Sequence, residues 1–243
     1  MSANKVKAKK PRKTGFWPRL KRLVGQVILW FFILSIGSVV LTRFIPVYYT
    51  PLMFIRAAES TLKGDKPKIV RTWTPIDHIS RNMVQAVIAS EDNLFMHHHG
   101  FSVDDIEKAM QHNKKGKRIR GGSTISQQTA KNVFLWPDRT WVRKGLEAYF
   151  TVLIEFIWSK ERIMEVYLNV IETGKGIYGV QAASETYFGK DASRLSKSQA
   201  ALIAVCLPNP RRFSPAHPSP YILRRKNQIV HLMDKVEQIN FRK

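Results

Sequence analysis

The 243-residue sequence predicts a mostly α-helical domain that follows one N-terminal membrane-spanning helix. The first observation is an uncharged, apolar run over 23–42, about as long as the ~20 residues that cross a ~30 Å hydrocarbon core. The second is that apolar residues further along recur every three or four positions, as Val84, Val87 and Ile88 do, which is the period of an amphipathic helix. The third is that residues typical of helix N-caps precede several of these segments.

The chain is strongly basic, with 40 Lys and Arg residues against 18 Asp and Glu residues and a net charge of +22. Nine of the basic residues lie in 1–22 without an acid among them, and the remainder keeps an excess of basic residues. We therefore expect an anionic partner, for which nucleic acid, acidic lipid head groups and pyrophosphates all qualify. The single cysteine, Cys206, lies in an apolar run and excludes an intrachain disulfide.

The apolar run near the N-terminus has two interpretations, an uncleaved anchor and a cleavable signal peptide. A signal peptide usually has a shorter apolar region of ~7–15 residues and then a small-residue cleavage site, whereas Arg43 and an aromatic segment follow here. The sequence favours the anchor, with a basic leader at 1–22, a transmembrane helix at 23–43 and a connector at 44–75. The positive-inside rule keeps the leader cytoplasmic, so the predicted domain at 76–240 faces an extracytoplasmic space.

The remaining elements follow from apolar periodicity and caps. The segment 68–73 is predicted to be a short extended piece of the connector, and the first helix of the domain ends near Glu91. Ser102 begins a capping box that opens a second helix, and the cationic loop 114–122 follows it. The later helices are predicted from Ser123 to about Leu135, from Thr140 to Trp158, from Ser159 through Val170, up to Phe188 before Gly189, from Ser196 to Pro208, and from Pro220 to Ile239.

Two separated glutamates are the candidates for acid–base chemistry, since a pair of carboxyl groups is the minimum equipment for reactions at a glycosidic carbon. The first, Glu91, ends an apolar helix, where the helix dipole disfavours a negative charge and burial raises the pKa of a carboxyl. A carboxyl with a raised pKa suits a general base. The alternative is an exposed acid in a helix-ending turn, and the residue by itself leaves that alternative open.

The second glutamate, Glu147, lies in a segment that is apolar nearly all the way round a helix. Phe150 shares its face, and the opposite stripe, which ends at Phe156, is apolar as well. We expect such a helix to be buried on all sides, which places the carboxylate in a low-dielectric setting with Arg143 and Lys144 as available partners. A functional carboxylate and a structural Arg143–Glu147 ion pair both stay open here.

The segment between the two glutamates supplies groups that suit an anion. Gly121 and Gly122 precede a predicted helix N-terminus, where backbone N–H groups can meet a phosphate, although a plain loop with a Ser cap is the alternative. Gln127 and Lys131 share one face of that helix. They offer an amide and a cation to sugar hydroxyls and phosphate.

Two further segments have structural interpretations. Three consecutive histidines at 97–99 are not predicted to bind a metal, because consecutive residues rarely converge on one ion. We expect His98 instead to hydrogen-bond the loop that carries Glu91. The segment 134–141 is rich in large apolar residues and belongs either to the core or to a surface that dips into lipid, with Arg139 at head-group depth.

Five motifs follow one another along the chain. They are Glu-Asp-x-x-Phe-x-x-His-x-Gly at 91–100, Gly-Gly-Ser-Thr-Ile-Ser-Gln-Gln at 121–128, Arg-Lys-x-x-Glu at 143–147, a pattern from Lys160 to Asn169, and the basic pair Arg224-Arg225. In this order they resemble the peptidoglycan glycosyltransferases of family 51, most closely the monofunctional, membrane-anchored transglycosylases of Gram-negative bacteria. The resemblance covers residues 70–230.

The resemblance implies a lysozyme-like, mostly α-helical glycosyltransferase domain with a membrane-associated jaw. It implies that Glu91 is the general base for the acceptor 4-hydroxyl. It also implies that Glu147 assists departure of the donor pyrophosphate, directly or through a divalent cation, Mg²⁺, near that residue. Lys131 and Arg139 would hold the pyrophosphates. The implied substrate-binding residues are Asp92, Phe95, His98, Ser123, Thr124, Gln127, Gln128, Lys131, Arg139 and Arg143.

The implied function is inverting polymerisation of lipid II into β-1,4-linked glycan strands, with release of undecaprenyl diphosphate, at the outer face of the bacterial inner membrane. Pyrophosphate is already a good leaving group, so it needs charge neutralisation more than protonation. The implied partners are lipid II, the growing lipid-linked glycan chain, membrane lipids and cell-wall synthesis or division proteins, and no nucleic acid.

Two other classes compete with this interpretation. A lytic enzyme of lysozyme-like fold would cleave glycan with one Glu as acid, and a non-enzymatic basic membrane protein would bind acidic lipid or nucleic acid. The marks of a penicillin-binding transpeptidase domain, Ser-x-x-Lys and Lys-Thr-Gly, occur at 60–63 and 13–15 in reversed order. We interpret them as coincidences and expect a monofunctional protein.

Overall fold

The computed structural model describes residues 16–102, 122–138 and 140–241, so the helix predicted to follow Ser102 lies outside the described residues. The chain divides into two compact units, 1–41 and 42–243. The described elements, mostly helical as predicted, are α1 (Phe16–Phe44), α2 (Pro51–Leu62), β1 (Val70–Arg71), α3 (Arg81–Glu91), α4 (Ile125–Phe134), α5 (Trp141–Ile157), α6 (Lys160–Val170), β2 (Glu172–Gly174), β3 (Ile177–Tyr178), α7 (Val180–Phe188), α8 (Lys197–Cys206) and α9 (Pro220–Met233), with 3₁₀ turns at Ile76–His78 and Ala192–Arg194.

The described part of the first unit is the greater part of α1. This helix has 29 residues and is long and apolar enough to cross a membrane, which agrees with the predicted anchor. Apolar side chains along it, such as Leu29 and Leu34, are exposed. The helix begins before the predicted span at 23–43, because Arg19, Leu20 and other good helix formers continue it beyond the apolar run.

The core of the second unit lies around α6. Its side chains Met164, Tyr167 and Leu168 are fully buried, and burial of a Leu or Met side chain contributes roughly 1.5–3 kcal/mol. α4 packs against both α5 and α6, while α3, α8 and α9 pack together. The C-terminal end of α3 and a half-buried face of α4 lie near each other, since Gln128 on α4 donates a hydrogen bond to Glu91 at the end of α3. The first two motifs meet there.

A small sheet has the strand order β1-β3-β2, with β1 parallel to β3 and β2 antiparallel to it. Gly176 in the turn between β2 and β3 has a φ of +71°, and a Cβ there would lie 2.4 Å from the carbonyl oxygen of Lys68, so the turn requires glycine. The predicted extended piece at 68–73 contains β1. The β2–β3 hairpin was missed, because strands of two or three residues show no alternation.

Polar caps fix most of the predicted helix boundaries. The side chains of Thr140, Ser159 and Ser196 accept hydrogen bonds from backbone N–H groups in the first turns of α5, α6 and α8. Gly189 ends α7 in the left-handed conformation, with a φ of +62°. These boundaries were predicted from the sequence and are confirmed.

Two helix starts differ from the prediction. α2 lies inside the predicted connector at 44–75, where Pro51 occupies its first turn, a position that proline favours. α4 begins at Ile125 and not at Ser123, because Thr124 and Gln127 form a capping box.

The last helix is also shorter than predicted, since α9 ends at Met233 and not at Ile239. The Nε2 of Gln85 on α3 donates hydrogen bonds to the carbonyl oxygens of Met233 (3.3 Å) and Glu237 (2.9 Å). Its Oε1 accepts from the backbone N–H of Ile239. These contacts draw the C-terminal segment against α3 and compete with continuation of the helix.

Candidate active site

Glu91 is the last residue of α3, and its half-buried side chain meets α4. The Nε2 of Gln128 donates a hydrogen bond to Oε2 of Glu91 across 2.9 Å. Burial raises the pKa of the Glu91 carboxyl above its ordinary value, against the hydrogen bond from Gln128, and the negative charge of Asp92 acts in the same direction as burial. The charges of Lys131 and Arg225 oppose it. The raised pKa predicted for this residue is confirmed.

Asp92 is buried and joins the loop after α3 to the start of α4. Its Oδ2 accepts a hydrogen bond from the backbone N–H of Ile125 (3.0 Å), and the Nε2 of His98 lies 2.9 Å from Oδ1. The Nδ1 of His98 accepts from the N–H of Gly100 (3.1 Å), which assigns the ring proton to Nε2. The expected hydrogen-bonding role of His98 is therefore confirmed.

The second motif caps α4 and is tied to the same loop. The Oγ1 of Thr124 donates to the carbonyl oxygen of Gly100 (2.7 Å), and the Oε1 of Gln127 accepts from the N–H of Thr124 (3.0 Å). Phe95 is fully buried, whereas Ser123 is exposed. Thr124, Gln127 and Phe95 thus hold the loop in place, and contacts of these residues with a substrate stay predictions.

Glu147 lies on the buried face of α5 and is bound by two cations. The Nη1 of Arg143 lies 2.5 Å from its Oε2, and Lys144 donates to its Oε1. Burial lowers the pKa of the Lys131 ammonium, against the negative charges of Glu147 and, to a smaller extent, Glu91. The charges of both glutamates therefore act on the pKa of Lys131.

The expected Arg143–Glu147 ion pair is present, and its surroundings leave room for a ligand. A cleft of about 210 Å³ is lined by Thr140, Trp141, Arg143 and Lys144. The buried Nε of Arg143 has no hydrogen-bond partner among the residues that the structure describes. Buried donors are normally paired, so this N–H has an unmet hydrogen bond among those residues.

One face of α5 is exposed, so the expectation of a helix buried on all sides was wrong. Trp141 is 92% exposed, Phe156 is 89% exposed, and Val152 between them is exposed as well. On the opposite face Phe150 stacks on Phe134, with ring centroids 4.6 Å apart. Apolar periodicity alone does not distinguish a face that meets the core from a face that meets another apolar medium.

Two predicted groups lie outside the described residues. These are Arg139, with its expected contact to pyrophosphate, and Gly121 of the predicted phosphate cradle. Both stay predictions. In the neighbouring segment 134–141 Leu135 is buried and Trp136 is partly exposed, so the segment contributes to core and surface alike.

Sequence reasoning assigned no role to two residues that act on Glu91 or on its partner Gln128. The hydroxyl of Tyr167, fully buried on α6, lies 3.5 Å from Oε1 of Gln128. Arg225 on α9 acts on the pKa of Glu91 through its charge. Both residues lie in the fourth and fifth motifs, and that was the only indication of their role in the sequence.

A metal ion has little to bind here without a substrate. Within 16–102, 122–138 and 140–241 no group of three or more His, Cys, Asp or Glu side chains is placed to hold one. Both oxygens of Glu147 already accept hydrogen bonds from cations. Mg²⁺ commonly binds one or two carboxylates together with substrate phosphates and water, so it fits this site when a diphosphate supplies further ligands.

Comparison with known proteins gives consistent matches. A sequence profile described as Transglycosylase matches residues 59–234. The biosynthetic peptidoglycan transglycosylase of Bacteroides thetaiotaomicron is 56% identical over 218 residues, which cover 90% of this chain and 88% of that protein. Proteins of the same name from Bdellovibrio bacteriovorus and Pseudomonas entomophila are 54% and 48% identical, over 88% and 89% of this chain and 86% and 92% of those proteins.

Proposed function

Because the chain belongs to the transglycosylase family, we propose that it polymerises lipid II into linear β-1,4-linked glycan strands and releases undecaprenyl diphosphate. Membership confirms the resemblance seen in the motifs and makes the protein a peptidoglycan glycosyltransferase of cell-wall synthesis. The observation that carries the finer proposal is the position of Lys131 in the field of both Glu91 and Glu147. On this ground we assign the base, the cation and the second carboxylate to one site.

Glu91 is assigned as the general base that removes the proton from the acceptor 4-hydroxyl. Its raised pKa makes it a stronger base than an ordinary carboxylate, provided that it is ionised at the working pH. Gln128 occupies its Oε2, which leaves Oε1 for the hydroxyl. Attack of that oxygen on C1 of the α-linked donor inverts the anomeric carbon and gives the β-1,4 bond.

The cations at the other end of the site are assigned to the leaving diphosphate. Arg143 and Lys144 are oriented by Glu147, and the charge of the same carboxylate acts on the pKa of Lys131. Groups placed where negative charge develops stabilise a transition state, and loss of one oxyanion-hole donor commonly costs about 2.7–4 kcal/mol. A bound Mg²⁺, held by Glu147 and the diphosphate, would supply further charge neutralisation. Arg139 is proposed to contact the same group.

The protein is proposed to be a single-pass protein of the bacterial cytoplasmic membrane. α1 supports a membrane anchor by its length and composition, and the basic leader places the N-terminus in the cytoplasm by the positive-inside rule. The catalytic domain then lies on the outer side, where lipid-linked substrate and growing glycan meet it. Association with other cell-wall synthesis or division proteins is part of the same proposal.

The test is polymerisation of purified lipid II by the detergent-solubilised full chain with Mg²⁺. We expect a muramidase-sensitive polymer from the wild type and a loss of at least ~100-fold in rate for Glu91→Gln, which keeps the shape and removes the base. Asp77→Asn, which alters an exposed carboxylate, is the matched control and should keep the wild-type rate.

Two results would contradict the proposal. One is a folded wild type that makes no polymer and instead cleaves preformed glycan, which favours a lytic enzyme. The other is a Glu91→Gln protein with wild-type rate, which removes Glu91 from the role of base.

Chelation of divalent cations with EDTA should slow polymerisation without abolishing it, because Lys131, Arg143 and Lys144 still neutralise charge.

A further inference from the structure

Lys160, the first residue of α6, joins three parts of the second unit through one ammonium group. Its Nζ lies 2.8 Å from Oε1 of Glu155 on α5 and 2.7 Å from the carbonyl oxygen of His98. It also lies 4.6 Å from the centroid of the Phe95 ring. The side chains of Lys160 and Glu155 are 18% and 7% exposed, so this ion pair is largely removed from water.

Glu155 fixes that ammonium group and connects it to α4. Ser126 on α4 donates a hydrogen bond to Oε1 of Glu155. The loop also packs closely on α5 at Gly100, which has a φ of +87°. A Cβ at this position would lie 2.7 Å from Cγ2 of Thr151 and 2.9 Å from Cγ of Glu155. The loop 93–100 is therefore held between the ammonium group and α5.

This loop directly follows Glu91. The backbone carbonyl oxygen of His98 accepts the hydrogen bond from Lys160, and its ring is hydrogen-bonded to the carboxylate of Asp92. That carboxylate also accepts a hydrogen bond from the backbone N–H of Ile125. Ile125 begins α4, which carries Gln128, the donor to Glu91. A shift of the loop would thus disturb both the residue after Glu91 and the helix that supplies its hydrogen bond.

A buried ion pair seldom stabilises a fold more than well-packed apolar side chains of similar size. The contacts of Lys160 therefore suggest a role other than stability. We propose that Lys160, oriented by Glu155, is a positioning residue that holds Glu91 in the geometry required to remove the acceptor proton. This inference rests on the proposed role of Glu91 as the base.

The test separates positioning from stability. Lys160→Met leaves Glu155 buried without its cation, and we expect both the melting temperature and kcat to fall. In the triple variant Ser126→Ala/Glu155→Leu/Lys160→Met all three polar side chains of the cluster become apolar and no buried charge is left unpaired, so we expect the melting temperature to recover most of its loss. We expect kcat to stay about 10- to 100-fold below wild type with KM changed less than about twofold, because misplacement of a catalytic group acts on kcat.

Met164→Ala is the matched control, since Met164 is fully buried on the same helix. It should lower the melting temperature but leave kcat unchanged below that temperature. Hydrogen exchange supplies a second readout, in which peptides covering 92–102 should exchange faster in Lys160→Met than in wild type.

A triple variant with wild-type kcat overturns the proposal. So does a Lys160→Met protein in which the peptides covering 92–102 exchange their amide hydrogens no faster than in wild type. The wild-type chain in the same assay reports separately on the proposed function. If it makes no polymer, the proposed function fails, and the effect of Lys160 on the loop is then decided by hydrogen exchange alone. If it does make polymer, the ratio of variant to wild-type kcat decides whether Lys160 is a positioning residue.

Discussion

The side-chain amide of Gln128 donates a hydrogen bond to the carboxyl group of Glu91 across 2.9 Å, from one helix to another. The hydroxyl of Tyr167 lies 3.5 Å from Oε1 of the same amide, which favours the orientation with Nε2 toward Glu91. The hydrogen bond lowers the pKa of Glu91, while burial raises it by more. The amide therefore adjusts the pH above which Glu91 is ionised.

The variant Gln128→Met tests this relationship, because it keeps a similar volume and removes the donor. The pKa of Glu91 should rise further, and since the ionised carboxylate is the active base, the acid limb of the kcat/KM profile should move to higher pH. Tyr167→Phe should move it in the same direction by less. A pH–rate profile with lipid II checks both, and an acid limb that stays in place for Gln128→Met contradicts the assignment.

Glu91 should also make stability depend on pH. A carboxyl whose pKa is higher in the folded chain stabilises it below the ordinary value of 4.5, and this contribution is lost as pH rises through the folded-state pKa. Glu91→Gln is neutral throughout, so at pH 7 it should melt at a higher temperature than wild type.

The measurement is thermal unfolding in detergent between pH 4 and pH 8. The advantage of Glu91→Gln should shrink toward the acid end, and Asp77→Asn, which changes an exposed carboxylate, should show no such trend. A Glu91→Gln protein that is less stable than wild type at pH 7 would contradict the link between burial and the raised pKa.

Helices with both an apolar period and a polar cap could be predicted from the sequence. α5 and α6 begin after Thr140 and Ser159 as predicted, since each cap acts on its own first turn. α9 was predicted too long, because the side chain that ends it, Gln85, comes from α3 and is remote in sequence. Local sequence patterns predict hydrogen bonds between residues close in sequence, but not those that form when distant segments pack together.

The candidate site likewise has features that could be predicted from the sequence and features that depend on tertiary packing. Glu91 and Glu147 stood out in the sequence through their apolar neighbours, but the effect of both charges on Lys131 depends on how the helices that carry these residues pack. The exposed face of α5 was missed because an apolar stripe looks the same whether it meets a core or lipid. The 89% exposure of Phe156 shows that this stripe does not meet the core.

The buried Arg143–Glu147 ion pair should matter more for the stability of the fold than the partly exposed Lys144–Glu147 pair. Glu147→Leu should lower the free energy of unfolding by about 3–5 kcal/mol, because it leaves Arg143 as a buried cation without its partner. Lys144→Met is the matched comparison, since its side chain is 43% exposed and an exposed pair contributes at most about 1 kcal/mol. Urea unfolding followed by tryptophan fluorescence measures both, and equal losses would contradict the difference in burial.

The exposed stripe of α5 should lie in lipid. Trp141 and Phe156 are separated by about 22 Å along the helix at ~1.5 Å per residue, so the stripe follows its whole length. A bimane label on Phe156→Cys should be quenched by nitroxide lipids in vesicles, whereas a label on Arg194→Cys, at an exposed position outside the stripe, should not. Burial raises the pKa of the Cys206 thiol to about 12, which keeps it unlabelled.

The same experiment distinguishes lipid from a second copy of the chain as the cover for this stripe. Quenching at Phe156 that does not change with protein concentration indicates lipid, because the vesicle supplies the apolar medium in excess. Quenching that falls as protein concentration rises indicates a second copy that displaces lipid. Equal quenching at Phe156 and Arg194 would contradict the assignment of the stripe to the membrane surface, since the two sites differ in their apolar surroundings.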